Sequence, residues 1–346
     1  MTISAARFEG SQSVRIEEWP SPEVAPGEVL LRVRRTALCG SDIKLWNKGA
    51  SWIPGHEIFG VVDQPGHALH GQRCLVFIPV HCGHCPSCMA GDTHLCETDS
   101  VLVGWNRHGG YGQALSVPDQ CLLPVPDDIP DDLAPLLLDT IGTSAHGIRM
   151  AMPLLPRAPN APHAPHASHA SHAPHAPTGP VLVMGAGPIG LGAILALTDM
   201  GFQNIAVSDP RASRLALAVE FGATVHAVDD MTTRFSFVLE CSGAHVARNR
   251  ALHIVQPHGV VLLLGENDNP WTIEETRPIR RKDFIMMRSF YFPKSDFPQN
   301  IELLRRHRER YARLVDQTFP LSELPQMFAR FAAGELIKPL MIANEE

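Results

Sequence analysis

The pattern of hydrophobic and polar positions changes near the middle of the chain. In the first part, short alternating runs such as 29–33 and 59–62 lie among many Gly and Pro residues. A period of two is typical of strands with one buried face, so these runs predict a twisted antiparallel β unit. The apolar stretch from Leu133 to Met152 that follows predicts helix.

The second part reads as alternating strands and helices. The apolar run 181–184 leads into a Gly-rich turn and an apolar segment, Ile189 to Met200. Later apolar runs, separated by helix-like segments, lie at 205–207, 237–239 and 260–264. This order predicts a doubly wound parallel sheet of about six strands that ends near Phe290. We expect the tail after residue 290 to return to the first domain.

A tract between these parts resembles neither of them. From Ala161 to Pro177 the chain repeats Ala-Pro-His or Ala-Ser-His, which places a histidine at every third position. Proline disfavours helix and sheet, so the tract predicts a disordered linker with polyproline II character. That helix has about three residues per turn, so the imidazoles would form one stripe that chelates metal weakly. A solvated linker without a function is the favoured interpretation.

Length, composition and charge restrict the class of protein. A chain of 346 residues with 45% hydrophobic residues predicts about two globular domains. The formal net charge of −7, with scattered basic residues, offers no surface for nucleic acid or an anionic membrane. The chain has no apolar signal segment at its start and no apolar run near the roughly 18 residues that span a bilayer. The expected location is cytoplasmic.

Four cysteines within 15 positions have the spacing of a metal site. The pattern is C-x2-C-x2-C-x7-C, formed by Cys82, Cys85, Cys88 and Cys96. Two-residue spacers let successive thiolates meet one ion, and zinc accepts four sulfurs at about 2.3 Å. Two disulfides are the alternative, but they are disfavoured in a chain that reads as cytosolic. The lobe 82–96 therefore predicts a structural zinc, which by itself names no reaction.

The Gly-rich turn, Gly185-Ala-Gly187-Pro-Ile-Gly190, predicts dinucleotide binding because it follows an apolar strand and opens an apolar helix. Asp209 follows Gly190 by nineteen positions, at the end of the second strand. A carboxylate there binds the adenosine ribose and favours NAD over NADP. Arg211 and Arg214 would soften that preference, which leaves NADP as an alternative. Asp209 is also compatible with a helix N-cap before Pro210.

The first part carries the candidate chemistry. Cys39, His56, Glu57 and Asp139 together offer one thiolate, one imidazole and two carboxylates. A catalytic zinc needs three protein ligands and an open position, and this set can supply them. Each residue also has an ordinary structural interpretation, as a buried small residue, a turn residue or an ion-pair partner. Spacing alone leaves both interpretations open.

With these residues the chain resembles the zinc-dependent medium-chain alcohol dehydrogenases over nearly its whole length. The resemblance rests on five ordered motifs: the Cys-Gly-Ser-Asp run at Cys39, the Gly-His-Glu run at Gly55, the four-Cys lobe, the Gly185 turn and Glu240-Cys-Ser-Gly. It implies a GroES-like catalytic domain, rich in β structure, joined to a Rossmann dinucleotide-binding domain. The expected domains are 1–155 with 291–346, an insertion at 156–178, and 179–290.

The resemblance also implies roles for individual residues. Cys39, His56 and Asp139 would hold the catalytic zinc, and Glu57 would lie beneath it, able to ligate during exchange; whether Glu57 or Asp139 is the third ligand stays open. Ser41 would take the substrate proton. Two zinc ions per chain and NAD are therefore the expected cofactors, with zinc acting as a Lewis acid on the alcohol oxygen.

Further positions bear on the proton relay and the substrate. Lys44 stands where many family members have a relay histidine, and Thr143 matches a residue near the nicotinamide, with helix packing as an equal alternative. Only sixteen residues separate Cys39 from His56, so the loop with Trp46 and Trp52 is short. The two indoles either line the pocket or pack inward. Asp139 favours the bacterial secondary-alcohol branch, but polyols and sugars fit equally well.

The predicted function is hydride transfer between a secondary alcohol or polyol and NAD. Two other functional classes remain as alternatives. A zinc-independent enone or quinone reductase of the same superfamily would lack the set of Cys39, His56 and Asp139. A non-catalytic metal-binding protein on the same fold would depend on the histidine tract. The expected partners are a small-molecule alcohol and further copies of the chain, as a homodimer or homotetramer, and neither nucleic acid nor membrane.

Overall fold

The computed structural model describes residues 1–98, 101–156 and 179–344. It divides into two compact units, one formed by residues 1–142 with 291–346 and the other by residues 143–290. The helix Ser144–Ala151 thus belongs to the second unit, although the sequence placed the domain boundary at residue 155. The predicted insertion 156–178, with its histidine tract, lies outside the described residues except for residue 156.

The first unit opens with a hairpin and continues into an antiparallel sheet. Along β3 (Glu28–Ala37), buried positions alternate with half-buried ones over residues 28–33, which places Val29, Leu31 and Val33 on one buried face. A short helix, α1 (Ile43–Lys48), follows β3, and α2 (Pro86–Met89) lies in the four-Cys lobe. The strands are β1 (Thr2–Gly10), β2 (Ser13–Pro20), β3 (Glu28–Ala37), β4 (Glu57–Val62), β5 (Arg73–Val76), β6 (Ala114–Pro118) and β7 (Leu122–Pro124).

The apolar stretch 133–152, predicted as one helix, forms three successive helical segments with different hydrogen-bonding patterns. A 3₁₀ segment, Ala134–Leu137, is followed by a π turn, Asp139–Thr143, and then by α3 (Ser144–Ala151). A π turn inserts one extra residue per turn and often occurs at functional sites. It starts at Asp139, so the helix prediction was correct for residues 144–151 and missed the irregular start that presents this carboxylate.

The second unit is the predicted parallel sheet. Its order is β10-β9-β8-β11-β12-β13, with every neighbouring pair parallel. All four residues of β8 and all six of β11 are buried, as expected for strands covered on both faces. The strands are β8 (Val181–Met184), β9 (Ile205–Ser208), β10 (Thr224–Val225), β11 (Phe235–Glu240), β12 (Val255–Leu263) and β13 (Ile285–Arg288), and the helices are α4 (Pro188–Asp199), α5 (Ala212–Glu220) and α6 (His245–Ile254).

The C-terminal segment completes the first unit. It contributes α7 (Phe297–Arg306), α8 (Arg308–Ala312), β14 (Thr318–Pro320), α9 (Leu324–Ala332) and β15 (Leu340–Ile342). β15 pairs with β3, so the resulting order is β14-β15-β3-β4-β5-β7, with β6 also on β3. This pairing brings Lys338, just before β15, beside the residues at the end of β3.

Candidate metal and dinucleotide sites

The four-Cys lobe brings its sulfur atoms together around one point. The Sγ atoms of Cys82, Cys85, Cys88 and Cys96 lie within 4.8 Å of one another, and none of the four forms a disulfide with another described residue. Backbone N–H groups of the same lobe point at the sulfurs: those of His84 and Cys85 donate to Cys82 Sγ at 3.4 and 3.3 Å. The hydrogen bond with Thr98 and these amides lower the pKa of Cys82 to about 7, which favours the metal-binding thiolate.

A second cluster forms from segments that lie far apart in the chain. Cys39 follows the end of β3, His56 and Glu57 stand at the start of β4, and Asp139 opens the π turn. One ligand atom from each of the four residues lies within 4.8 Å of the others. Asp139 Oδ2 lies 3.1 Å from His56 Nε2 and 3.6 Å from Cys39 Sγ. One thiolate, one imidazole and two carboxylates around one point fit a zinc ion.

The electrostatics of this cluster reflect its burial. Burial alone lowers the pKa of His56, but the charges of Asp42 and Cys39 and the hydrogen bonds of Asp139 and Asp42 outweigh it and raise that pKa well above its ordinary value. Burial raises the pKa of the Cys39 thiol despite the opposing charge of His56. Asp42 Oδ1 lies 3.0 Å from His56 Nδ1, which directs Nε2 of the same ring toward Cys39 and Asp139.

Glu57 is paired with a lysine that the sequence did not indicate. Lys338 Nζ donates to Glu57 Oε1 and, at 3.2 Å, to the carbonyl oxygen of Leu38. Both side chains are almost completely buried, at 1% exposure for Lys338 and 0% for Glu57. Glu57 Oε2 is also buried, and among the described residues it has no hydrogen-bond partner. Burial raises the pKa of Glu57, and Lys338 opposes that shift. A buried oxygen without a partner, next to three other donors, suits a reserve ligand.

Ser41 lies beside the second cluster, whereas Trp46 and Trp52 pack on the hydrophobic core. Ser41 Oγ donates to Cys39 Sγ at 3.2 Å. Trp46 packs against Phe328, with ring centroids 5.7 Å apart, and Trp52 Nε1 donates to the carbonyl of Gly104. Both belong to the margin of the hydrophobic core.

The indole next to the cluster is instead Trp105, whose centroid lies 5.4 Å from that of His56; Lys44 Nζ lies 5.5 Å from the Trp105 centroid. Trp105 was missed because it lies 49 positions after His56, and no local pattern pointed to it.

The Gly-rich turn of the second unit connects β8 to α4. Gly185 has φ +97°, and a Cβ at Gly190 would lie 1.8 Å from the carbonyl oxygen of Gly185, so both positions need glycine. Gly187 is the N-cap of α4, which leaves the first amides of the helix available to an anion. The Arg214 guanidinium is 3.8 Å from the Cβ position of Gly187.

Asp209 has a further task in this turn. Its Oδ2 accepts a hydrogen bond from the Ala186 amide and its Oδ1 accepts one from the Arg211 amide, both at 2.8 Å. It is therefore not the N-cap of α5, a position that Arg211 occupies without a side-chain cap. The carboxylate ties the Gly-rich turn to the end of β9 and still has lone pairs for a ribose. The sequence predicted the ribose contact but not the tie.

Thr143, proposed from the sequence as a neighbour of the nicotinamide, ends the π turn and is half-buried. It belongs to the second unit, and its cofactor contact stays a prediction. Glu240, from the last of the quoted motifs, ends β11 and accepts hydrogen bonds from the amides of Ser242 and Gly243 at 2.8 and 3.0 Å. It holds the loop that follows this strand.

Comparison with known families covers most of the chain. The model of the alcohol dehydrogenase GroES-like domain matches residues 25–127, and the model of the zinc-binding dehydrogenase domain matches residues 188–306. An L-threonine 3-dehydrogenase from Mesorhizobium japonicum is 31% identical over 290 residues, which is 77% of each chain. The enzyme of the same name from Klebsiella pneumoniae is 29% identical over 304 residues, 81% of this chain and 82% of its own.

Solved structures share the fold over nearly the full length. The alcohol dehydrogenase from Thermus sp. ATN1 superposes with a TM-score of 0.84 at 24% identity, covering 99% of this chain and 100% of that one. The galactitol-1-phosphate dehydrogenase from Escherichia coli gives 0.82 at 23% identity, covering 98% and 99%. Among the described residues, no helix has the length and apolar character to cross a membrane. The predicted fold class is confirmed, and the chain belongs to the family of zinc-binding alcohol dehydrogenases.

Proposed function

We propose that this chain is an NAD-dependent zinc dehydrogenase that oxidises a secondary alcohol or polyol, or reduces the matching ketone. One observation supports this above the others: Cys39, His56, Glu57 and Asp139, from three separate segments, place their ligand atoms within 4.8 Å of one another. A set that is only structural would not need a buried carboxylate oxygen such as Glu57 Oε2, which has no hydrogen-bond partner in the part of the chain that the structure describes.

The distances between the donor atoms and the ion pair of Glu57 support the ligand assignment. Cys39, His56 and Asp139 would hold the catalytic zinc, because Asp139 Oδ2 already lies next to both other donors. Glu57 is the reserve ligand, since Lys338 engages its other oxygen. Cys82, Cys85, Cys88 and Cys96 would hold a second, structural zinc. When bound, the catalytic zinc supplies a Lewis acid that polarises the substrate oxygen.

The side chains around the cluster would handle the proton. Ser41 Oγ is 3.2 Å from Cys39 Sγ, so a substrate oxygen close to the ligands lies within reach of this hydroxyl. Ser41 would accept the hydroxyl proton of the alcohol and pass its own hydroxyl proton on to solvent water, while the carbon-bound hydrogen leaves as hydride to NAD. Trp105, beside His56, would keep water from one side of the ligands.

The dinucleotide would occupy the Gly-rich turn, where bound NAD supplies the hydride acceptor. Gly185, Gly187 and Gly190 would allow its pyrophosphate to approach the start of α4. Asp209 would bind the adenosine ribose, which favours NAD, while Arg214 near Gly187 keeps NADP as an alternative. Thr143 remains the proposed neighbour of the nicotinamide.

The relatives and the surface of the second unit extend the proposal to the substrate class and the assembly state. The relatives named L-threonine 3-dehydrogenase make L-threonine, a secondary alcohol, the first compound to test, followed by polyols and sugar alcohols. We infer a cytoplasmic homodimer or homotetramer. Exposed Ile285, Met286 and Phe290, in or next to the edge strand β13, support self-association through the second unit. No contact with nucleic acid is proposed, because the net charge is −7.

A screen of alcohols that follows nicotinamide absorbance tests this proposal. Turnover with NAD that is lost on chelation and restored by zinc would support it. NADPH-dependent reduction of enones or quinones that resists the chelator would favour a zinc-independent reductase instead. Absence of turnover with any alcohol, together with two tightly bound zinc ions, would favour a non-catalytic metal-binding protein.

A further inference from the structure

We propose that Tyr111 is a positioning residue for the catalytic metal, acting through Asp42 on His56. This inference rests on the proposed ligand set. Tyr111, Asp42 and His56 are buried, with exposures of 0%, 0% and 2%. The Tyr111 hydroxyl donates to Asp42 Oδ2 at 2.6 Å, and Asp42 Oδ1 lies 3.0 Å from His56 Nδ1. The three side chains form one chain of hydrogen bonds that ends at a metal ligand.

The carboxylate of Asp42 determines which nitrogen of His56 faces the metal. When His56 binds a metal, donation of the Nδ1 proton to Asp42 leaves the lone pair of the ring on Nε2, the nitrogen that faces Asp139. A buried carboxylate held at only one oxygen can rotate about its terminal torsion, which is a broad one. The Tyr111 hydroxyl holds the second oxygen and so fixes the plane in which Asp42 accepts from the imidazole.

The backbone and ring of Tyr111 are fixed by the same turn that carries His56. Its amide donates to the carbonyl of Pro54 at 2.9 Å, and its carbonyl accepts from the Ala6 amide on β1 at 2.8 Å. Gly55 has φ +94°, and a Cβ at that position would lie 2.8 Å from the Tyr111 ring. The ring therefore packs directly on the backbone next to His56, and the Phe8 ring stacks on it with centroids 5.8 Å apart.

The hydroxyl of Tyr111 can be removed without disturbing the packing of its ring. Replacing it by Phe keeps the ring contacts with Gly55 and Phe8 and removes one oxygen, so Asp42 Oδ2 loses the donor that fixes it. Residues that orient metal ligands through a hydrogen bond typically change metal affinity by about 10-fold to 100-fold. Since Tyr111 acts one bond further away, we expect about a tenfold faster loss of the catalytic zinc.

The test is zinc release from the full chain to a chromophoric chelator. The release phase that is missing in Asp139→Asn belongs to the catalytic site. Tyr111→Phe should accelerate that phase about tenfold and leave the phase of the four-Cys lobe unchanged. Tyr311→Phe, which also removes the hydroxyl of a fully buried tyrosine, on α8, is the matched control and should change neither phase.

Two further outcomes make the test decisive. In an Asp42→Asn background, Tyr111→Phe should add no further effect, because the residue that transmits it has been changed. Equal release by the wild type and Tyr111→Phe, or the same acceleration in the Asp42→Asn background, would overturn the proposal. A wild-type chain that holds only the lobe zinc would instead overturn the ligand set on which it rests.

Discussion

The two clusters of candidate metal ligands are built in opposite ways. The four sulfurs of the lobe come from one short stretch in which Cys82 and Cys96 are 14 positions apart, and amides of the lobe itself hold them. In the second cluster, Cys39 and Asp139 are 100 positions apart, and Lys338, which holds Glu57, is 281 positions further along than that glutamate. The lobe can therefore form from local sequence, whereas the second cluster exists only when most of the first unit has folded.

Because of this difference, substitutions in the two clusters should have different effects on the protein. Loss of a lobe ligand should unfold a local segment, since metal binding there is also folding free energy. Loss of a residue from the second cluster should affect chemistry or the stability of the whole unit. We expect the largest effects from substitutions in the second cluster and the smallest effect on turnover from a substitution in the lobe.

The largest effect is expected for His56→Ala. Without its imidazole ligand the zinc would no longer be held in position, and the Lewis-acid contribution of several kcal/mol is lost. A loss of about 4 kcal/mol corresponds to roughly a 10³-fold fall in kcat/KM. Steady-state kinetics with the best alcohol measure it, with NAD affinity unchanged as the control. A variant within tenfold of the wild type would show that the second cluster is structural.

A large effect on stability is expected for Lys338→Met. The substitution leaves the Glu57 carboxylate buried without its cation, which typically costs about 3–5 kcal/mol. Denaturant unfolding of the zinc-loaded protein measures the loss, and the added substitution Glu57→Gln should recover part of it.

Lys282→Met is the matched control for that experiment. Lys282 is also buried, but it donates to the carbonyls of Leu252 and His253 at the end of α6 and leaves no charge behind when removed. It should cost about 1–3 kcal/mol. Equal losses for the two lysine variants would mean that the buried ion pair with Glu57 has no special role.

An intermediate effect is expected for Asp209→Asn. The amide can accept one of the two backbone hydrogen bonds but not both through oxygen, and it no longer repels a 2′-phosphate. The ratio of kcat/KM with NAD to that with NADP should fall about tenfold, the value of one lost hydrogen bond to a charged group. A weaker affinity for both cofactors with an unchanged ratio would mean that Asp209 serves only to hold the turn.

The smallest effect on turnover is expected for Cys88→Ser. It should remove the lobe zinc and unfold residues 82–96 locally, because the remaining three thiolates no longer close the site. Since the second cluster draws no ligand from the lobe, kcat should stay within about threefold of the wild type. Limited proteolysis locates the unfolded segment. Loss of NAD turnover comparable to that of His56→Ala would show that the two clusters depend on each other.

The same contrast explains what could be predicted from the sequence. Cys spacing, strand alternation and the Gly-rich turn are local signals, and they led to the lobe, the fold class and the six-stranded parallel sheet. The residue types alone made Cys39, His56 and Asp139 a possible zinc set, and only the family resemblance assigned their roles. The structure brings them together, and their roles stay predictions.

Residues that act through long-range contacts were not predicted. Lys338 is a single lysine in an apolar run, Tyr111 follows two glycines without a chemical motif, and Trp105 lies in a loop after the lobe. Each is placed by strand pairing or core packing between distant segments, as when β15 pairs with β3. A period of two or 3.6 residues carries no information about such contacts. The boundary expected at residue 155 lies at residue 142 in the structure for the same reason, because α3 belongs to the unit on which it packs.

If the proposed ligand set is correct, the second cluster holds a zinc ion independently of the lobe. The zinc content per chain of the wild type, Cys88→Ser and Asp139→Asn, measured by atomic emission together with turnover, tests this. We expect about two, one and one zinc ions, with turnover lost only in Asp139→Asn. An Asp139→Asn protein that keeps both zinc ions and full turnover would contradict the ligand set and make Glu57 the better third ligand.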